Sequence, residues 1–195
     1  MVSELDYQKV SRTREALRDL ERAAIRGVAS AVTLGNATSY RTMNGLWSFL
    51  TTNAFTYTVG ALTSTIIASY IQSAWDNGAK DLDIMMVGKG AKDEIDNMLD
   101  SYRKVQQGTP GSRTVERIVE TFETSYGVLE IMLSRWMRPN SLIIFSSRRI
   151  KVLPLKGRSF QYQDIAKTGD SMKGMIVGEY TEEVLNQEGM AKAWG

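Results

Sequence analysis

Between residues 3 and 26 neither proline nor glycine interrupts a run of helix formers, and Ser3 with Asp6 three positions on reads as an N-cap signature. Leu5, Ala16, Leu17, Leu20, Ala24 and Ile25 make only a narrow apolar stripe there. Arg12, Arg14, Arg18, Arg22 and Arg26 alternate with Glu15, Asp19 and Glu21 at helical pair spacings. The pattern predicts one long helix lying across a surface, with Gly27 as its C-cap. Residues 29–44 read as loop, turning at Gly35-Asn36. Trp47, Phe49, Phe55 and Tyr57 stand two apart in pairs, which predicts short extended segments. Leu62, Ile66, Ala68, Tyr70, Ile71, Ala74 and Trp75 then fit an amphipathic helix closed by Asn77-Gly78. A buried strand over 83–87 follows, and a helix over 92–102 with Asp93, Glu94 and Asp96 near its positive end.

The second half changes period. Residues 106–112 are loop by composition, and all three prolines, Pro110, Pro139 and Pro154, fall at or beyond it. β-branched and apolar segments over 114–124 and 128–137, joined at Tyr126-Gly127, predict a long antiparallel hairpin. Single strands are expected over 142–153 and 174–185. The helix, strand, helix order of the first half and the strands of the second give an α+β fold.

Composition narrows the chemistry. The 195 residues contain no cysteine and no histidine. That excludes disulfides, thiolate and imidazole metal sites, Ser-His-Asp triads and imidazole pH switches. No apolar run approaches the length of a membrane span, and the first residues do not form a signal peptide. The net charge of +2 is a cancellation. Between Glu130 and Asp164 stand seven basic residues, Arg135, Arg138, Arg148, Arg149, Lys151, Lys156 and Arg158, and no acid, so the remaining 17 basic and 22 acidic residues sum to −5. Residues 28–75 carry one charge, Arg41, which marks a zone buried in its own core or turned to a partner.

Four groups of residues have chemical readings to weigh. Gly88-Lys89-Gly90-Ala91-Lys92 follows a strand and precedes a helix, a setting for phosphate, but it lacks the spacing of a P-loop and the third glycine of a dinucleotide fingerprint. Asp81, Asp83, Asp93, Glu94 and Asp96 are potential oxygen ligands for a divalent ion, although acids in the first turn of a helix are expected from its dipole alone. Gly169-Asp170-Ser171 has the spelling of an esterase nucleophile block without the histidine base, and a Ser171–Lys173 dyad requires an extended segment. The basic stretch, with Trp136 and Phe145 inside it, suits nucleic acid, a solvated face, or head-to-tail association with an acidic patch on another copy.

The order of four blocks resembles a family of tailed-bacteriophage major capsid proteins with the capsid fold shared by encapsulins. These are SELDYQ at 3–8 with Asp19-Leu20-Glu21, GLWSFLTTN at 45–53, the hairpin from Glu123 to Gly127 followed by Arg138-Pro139, and DIAKTGDSMKGMIVGEYT at 164–181. The resemblance implies a phage major capsid fold: a long spine helix and a β-hairpin in a peripheral domain, and an α/β axial domain. Mapped onto this chain, it divides into 1–44 (spine helix and connector), 45–112 (axial), 113–138 (hairpin, peripheral) and 139–195 (axial). Family members carry an N-terminal arm and an extended loop before the spine helix. This chain starts at the helix, which reads as a trimmed chain or a short member.

The function so implied is that of a non-enzymatic structural subunit in the virion, assembled in the host cytoplasm. Its partner is itself, in pentamers and hexamers of an icosahedral shell that encloses DNA through non-specific contacts. It calls for no cofactor, metal or membrane. Arg148, Arg149, Lys151 and Glu179 are the expected subunit-interface residues, the basic ones meeting an acidic surface on the next copy. Two alternatives stand beside this: an encapsulin-like cage around protein cargo, and a carboxylate- and metal-dependent nucleotide enzyme using the turn at 88–92.

Overall fold

The computed structural model describes residues 4–29, 38, 41–100, 120–166, 169–170 and 173–195. In chain order the elements are α1 (Glu4–Arg26), α2 (Leu46–Phe49), β1 (Ala54–Thr56), α3 (Ser64–Asp76), β2 (Ile84–Val87), α4 (Lys89–Asp100), β3 (Thr121–Thr124), β4 (Gly127–Leu133), β5 (Ser141–Phe145), β6 (Ile150–Pro154), β7 (Gln161–Ile165), β8 (Lys173–Val177), β9 (Tyr180–Val184) and β10 (Ala191–Trp194). The fold is mixed α+β, and its contacts divide the chain into two compact units. Residues 1–49 with 150–184 form one, and 50–149 with 185–195 the other. Ser3, the Gly35-Asn36 turn, the loop at 106–112, the first part of the expected hairpin at 114–119, and Ser171 lie outside the described residues.

The second unit is built on a six-stranded sheet in the order β1-β10-β5-β2-β4-β3. Alternation along the strands sends Met85, Val87, Leu129, Ile131, Leu142, Ile144, Ala191 and Ala193 to one face. There they join Ile67, Tyr70, Ile71 and Ala74 of α3 and Ala91 and Ile95 of α4 in one buried core. α3 forms where its apolar spacing predicts. The Thr63 hydroxyl caps it by accepting from the Ile66 amide at 3.3 Å, and Phe55 stacks on Tyr70 with ring centroids 4.6 Å apart. β10 has no counterpart among the strands expected from sequence, yet it lies inside the sheet, parallel to β1 and antiparallel to β5. The turn at Tyr126-Gly127 forms as expected and joins β3 to β4, while β4 also runs parallel to β2. The described hairpin is therefore part of this sheet.

Two boundaries move for identifiable reasons. α4 begins at Lys89, not at 92, because the carbonyl oxygen of Pro139 accepts from the amides of Gly90 and Ala91 at 2.8 and 3.0 Å and so satisfies its first turn. Asp93, Glu94 and Asp96 consequently sit beyond that turn. The strand expected over 142–153 is two strands in two sheets, β5 and β6, separated by a 3₁₀ turn at Ser147–Arg149.

In the first unit α1 spans the expected residues and buries only Ile25, in keeping with its narrow stripe. Gly27 follows it, but as a point of close approach more than as a left-handed cap. Its carbonyl accepts from Gly45 at 2.9 Å, and a Cβ on Gly45 would stand 2.5 Å from the Ala23 carbonyl oxygen. That packing turns 46–49 into the single helical turn α2, where aromatic spacing had predicted an extended segment. The Gly45 carbonyl accepts from Ser48 at 2.9 Å and from Phe49 at 3.3 Å. The unit also holds two antiparallel ribbons, β6–β9 and β7–β8. The strand expected over 174–185 is thus β8 and β9, divided at Gly178-Glu179.

Candidate subunit interface

Of the expected interface residues, Arg148 and Arg149 lie in the 3₁₀ turn, Lys151 in β6 and Glu179 just before β9, and their surroundings differ sharply. The Ser146 hydroxyl donates to Asp81 Oδ2 at 3.2 Å, and the Ser147 amide and hydroxyl donate to the Asp83 carboxylate at 2.8 and 2.5 Å. These bonds stop β5 and turn the chain. Arg149 folds back onto the same anchor, its Nη2 2.6 Å from Asp81 Oδ1 and its Nε 3.3 Å from Oδ2. Burial pushes the Asp81 carboxyl upward, but the hydrogen bond and charge of Arg149 and the bond from Ser146 outweigh it and hold the group below the usual carboxylate range. Arg149 is thereby committed within its own subunit. Arg148 beside it is exposed, and so is Lys151, which lies opposite Glu183 in the ribbon register.

Glu179 is likewise engaged within the chain. Its carboxylate meets Arg158 at 2.5 Å and Arg41 at 3.9 Å. Its amide donates to the Arg158 carbonyl, and its own carbonyl accepts from Leu155, both at 2.9 Å. It closes the end of the β6–β9 ribbon. Of the four residues, Arg148 and Lys151 are the ones that present charge outward.

The competing sites lose their chemistry to the fold. Pro139 occupies the amides that would cradle phosphate, and a Cβ on Gly88 would overlap the Arg138 carbonyl oxygen, so this glycine serves chain packing and not a ligand. Asp93 is exposed, and the other four acidic candidates have separate tasks. Asp81 and Asp83 hold the 3₁₀ turn, Asp96 pairs with Lys92 at 2.7 Å, and Glu94 accepts from the Leu62 amide at 3.1 Å. No group of three potential ligands gathers among the described residues. Phe145 is buried in the sheet and offers no stacking surface within the basic stretch. Among the described residues no helix is long and apolar enough to cross a membrane.

Two residues that the sequence reading passed over carry structural weight. Asn53 is buried and fully bonded. Its Nδ2 donates to the carbonyls of Glu188 and Met190 at 2.5 and 2.9 Å, and its Oδ1 accepts from Ser73 and Asn77 at 3.0 and 3.2 Å. Glu182 is 7% exposed, and burial pushes its carboxyl up to about 7. Strand alternation at Tyr180, Glu182 and Val184 would have placed it inward had β9 been separated from β8.

Comparisons with known proteins bear on all of this. The chain is similar in structure to the holo-SrpI encapsulin complex from Synechococcus elongatus, at 13% identity and a TM-score of 0.57, over 96% of this chain and 64% of that one. It also matches a virus-like particle from Pyrococcus furiosus at 12% identity and a TM-score of 0.46, over 76% of this chain and 58% of that one. It thus spans less than two thirds of the length of either, and the first likeness is one of fold. No curated protein matches it in sequence. The model of the family described as SU10 major capsid protein matches residues 1–195. Matched from first residue to last, this chain belongs to the SU10 major capsid protein family.

Proposed function

We propose that the chain is a non-catalytic structural subunit that associates with copies of itself into a closed shell around DNA. The whole-length family match carries this reading, and the encapsulin-like fold supports it. In this reading the unit with α1 and the two ribbons is the peripheral part of the subunit and the unit with the six-stranded sheet is the axial part around a pentamer or hexamer centre, whereas the resemblance implies a hairpin at 113–138 in the peripheral part and all of 139–195 in the axial part. Arg148 and Lys151 supply a basic edge that meets an acidic surface on the neighbour, a heterologous contact that closes into rings. Each within its own unit, Arg149 is tied to Asp81 and Glu179 to Arg158.

The test is to express the chain, separate assemblies by size and image them. Closed particles or capsomer rings that carry nuclease-protected DNA support the proposal. A monodisperse monomer at high protein concentration overturns it, and particles filled with protein and free of nucleic acid favour a cargo cage instead.

A further inference from the structure

We propose that Glu182 is a proton-operated joint of the β6–β9 ribbon: with its carboxyl neutral the ribbon stays packed, and rising pH loosens it. The geometry sets the carboxyl among apolar neighbours on its own face of the ribbon. Alternation along β9 puts Tyr180, Glu182 and Val184 on one face, and the register sets Val152 directly opposite Glu182, with Ile150 and Pro154 on either side. α2, which packs against β9, is Leu46–Phe49 and has no ionisable group.

The charged groups on the adjoining segments are exposed or paired with one another. Lys151 and Glu183 face each other in the ribbon register, one step out of phase with Glu182, and both are exposed. Arg22 and Arg26, at the end of α1 where it packs on α2, are exposed. Arg41 and Arg158 are engaged by Glu179, and the Tyr180 hydroxyl accepts from the Phe160 amide at 3.0 Å. Glu182 Oε2 is buried with no hydrogen-bond partner among the described residues. Among the described residues no cation or hydrogen-bond donor pairs with this oxygen, and burial raises the group from the ordinary 4.5 to about 7.

The sign follows from linkage. An opened ribbon exposes Glu182 to water and ionises near 4.5, whereas the packed ribbon keeps the proton until about 7. Opening therefore becomes about tenfold easier per pH unit between these limits and levels off above the upper one. The inference concerns the single subunit and does not depend on shell formation.

Hydrogen–deuterium exchange of the full 195-residue chain between pH 5 and 8, corrected for intrinsic rates, tests it. Protection at 180–184 and 46–49 is expected to fall about tenfold per unit up to pH 7 and then level, and to stay flat in Glu182→Gln. A flat wild-type profile, or the same fall in the variant, overturns the proposal. Should the variant not fold, a ¹³C titration of the wild-type Glu182 carboxyl decides: a midpoint near 7 that coincides with shifts of the ribbon amides supports it, and one near 4.5 overturns it.

Discussion

Asn53 and Met190, 137 positions apart, are joined by a bond from the buried side-chain amide to the backbone carbonyl at 2.9 Å. Through the same side chain α3, the start of β1 and the approach to β10 share one polar centre. A buried amide with every donor and acceptor used fixes register as well as contributing stability. Asn53→Ala strands two carbonyls and two donors, so a loss of about 3 kcal/mol is expected in chemical denaturation. Asn77→Ala, which removes a partly buried bond to Asn53 at 3.2 Å and an exposed one to the Ser73 carbonyl at 2.9 Å, should cost about 1 kcal/mol. Equal losses from the two would show that Asn53 is not the centre of this network.

Gly88 separates packing from turn chemistry. Its missing Cβ is replaced by the Arg138 backbone, which cannot swing aside as a flexible side chain would. Gly88→Ala should lower stability by about 3 kcal/mol or more, measured by thermal and denaturant unfolding. Gly78→Ala makes the useful comparison. With φ of +89° and open space around it, its cost is conformational only, about 1 kcal/mol.

The Arg149–Asp81 pair predicts an acid-side pH dependence. Because the folded-state carboxyl of Asp81 is lowered, its contribution is present above the ordinary 3.8 and is lost as pH falls through the lower folded value. Asp81→Asn should therefore flatten the stability profile below about pH 4 and leave its neutral-side shape unchanged. Stability measured from pH 2 to 7 in both proteins checks this. A variant whose profile keeps the wild-type slope below pH 4 would remove Asp81 from the account.

The proposed basic edge predicts a dissociation between folding and assembly. Arg148→Glu and Lys151→Glu alter exposed side chains, so subunit stability should stay within about 1 kcal/mol of wild type, with most of the loss from the like charge that Lys151→Glu sets opposite Glu183. Particle or capsomer yield by sedimentation should fall steeply in the double variant. It should recover in part with a compensating acid-to-lysine change on the partner face. Unchanged particles would exclude the edge.

Much of the fold is legible where one element carries its own signal. α1, α3 and β2 follow from periodicity and stop residues, and Tyr126-Gly127 marks the β3–β4 turn. The misplaced boundaries are those decided by distant groups. Pro139 sets the start of α4, and the carboxylates of Asp81 and Asp83 end β5 more than sixty positions downstream. β10 is missed because Ala191 and Ala193 have little strand propensity of their own and become a strand only between β1 and β5. The candidate site divides in the same way. Charge counting along the chain treats Arg148, Arg149 and Lys151 alike and cannot see that Arg149 and Glu179 are engaged by partners far away in sequence.

The place of β10 also sets a timetable for synthesis. Among the described residues β1 pairs only with β10, and Thr56 precedes Trp194 by 138 positions. At about 5–20 residues per second a ribosome needs roughly 7–28 s to deliver that partner. During that interval the nascent chain holds an unpaired strand beside Phe55 and Tyr57, and β5 has one open flank. The described sheet is therefore completed only by the strand made last, and its order of synthesis runs against its order in space.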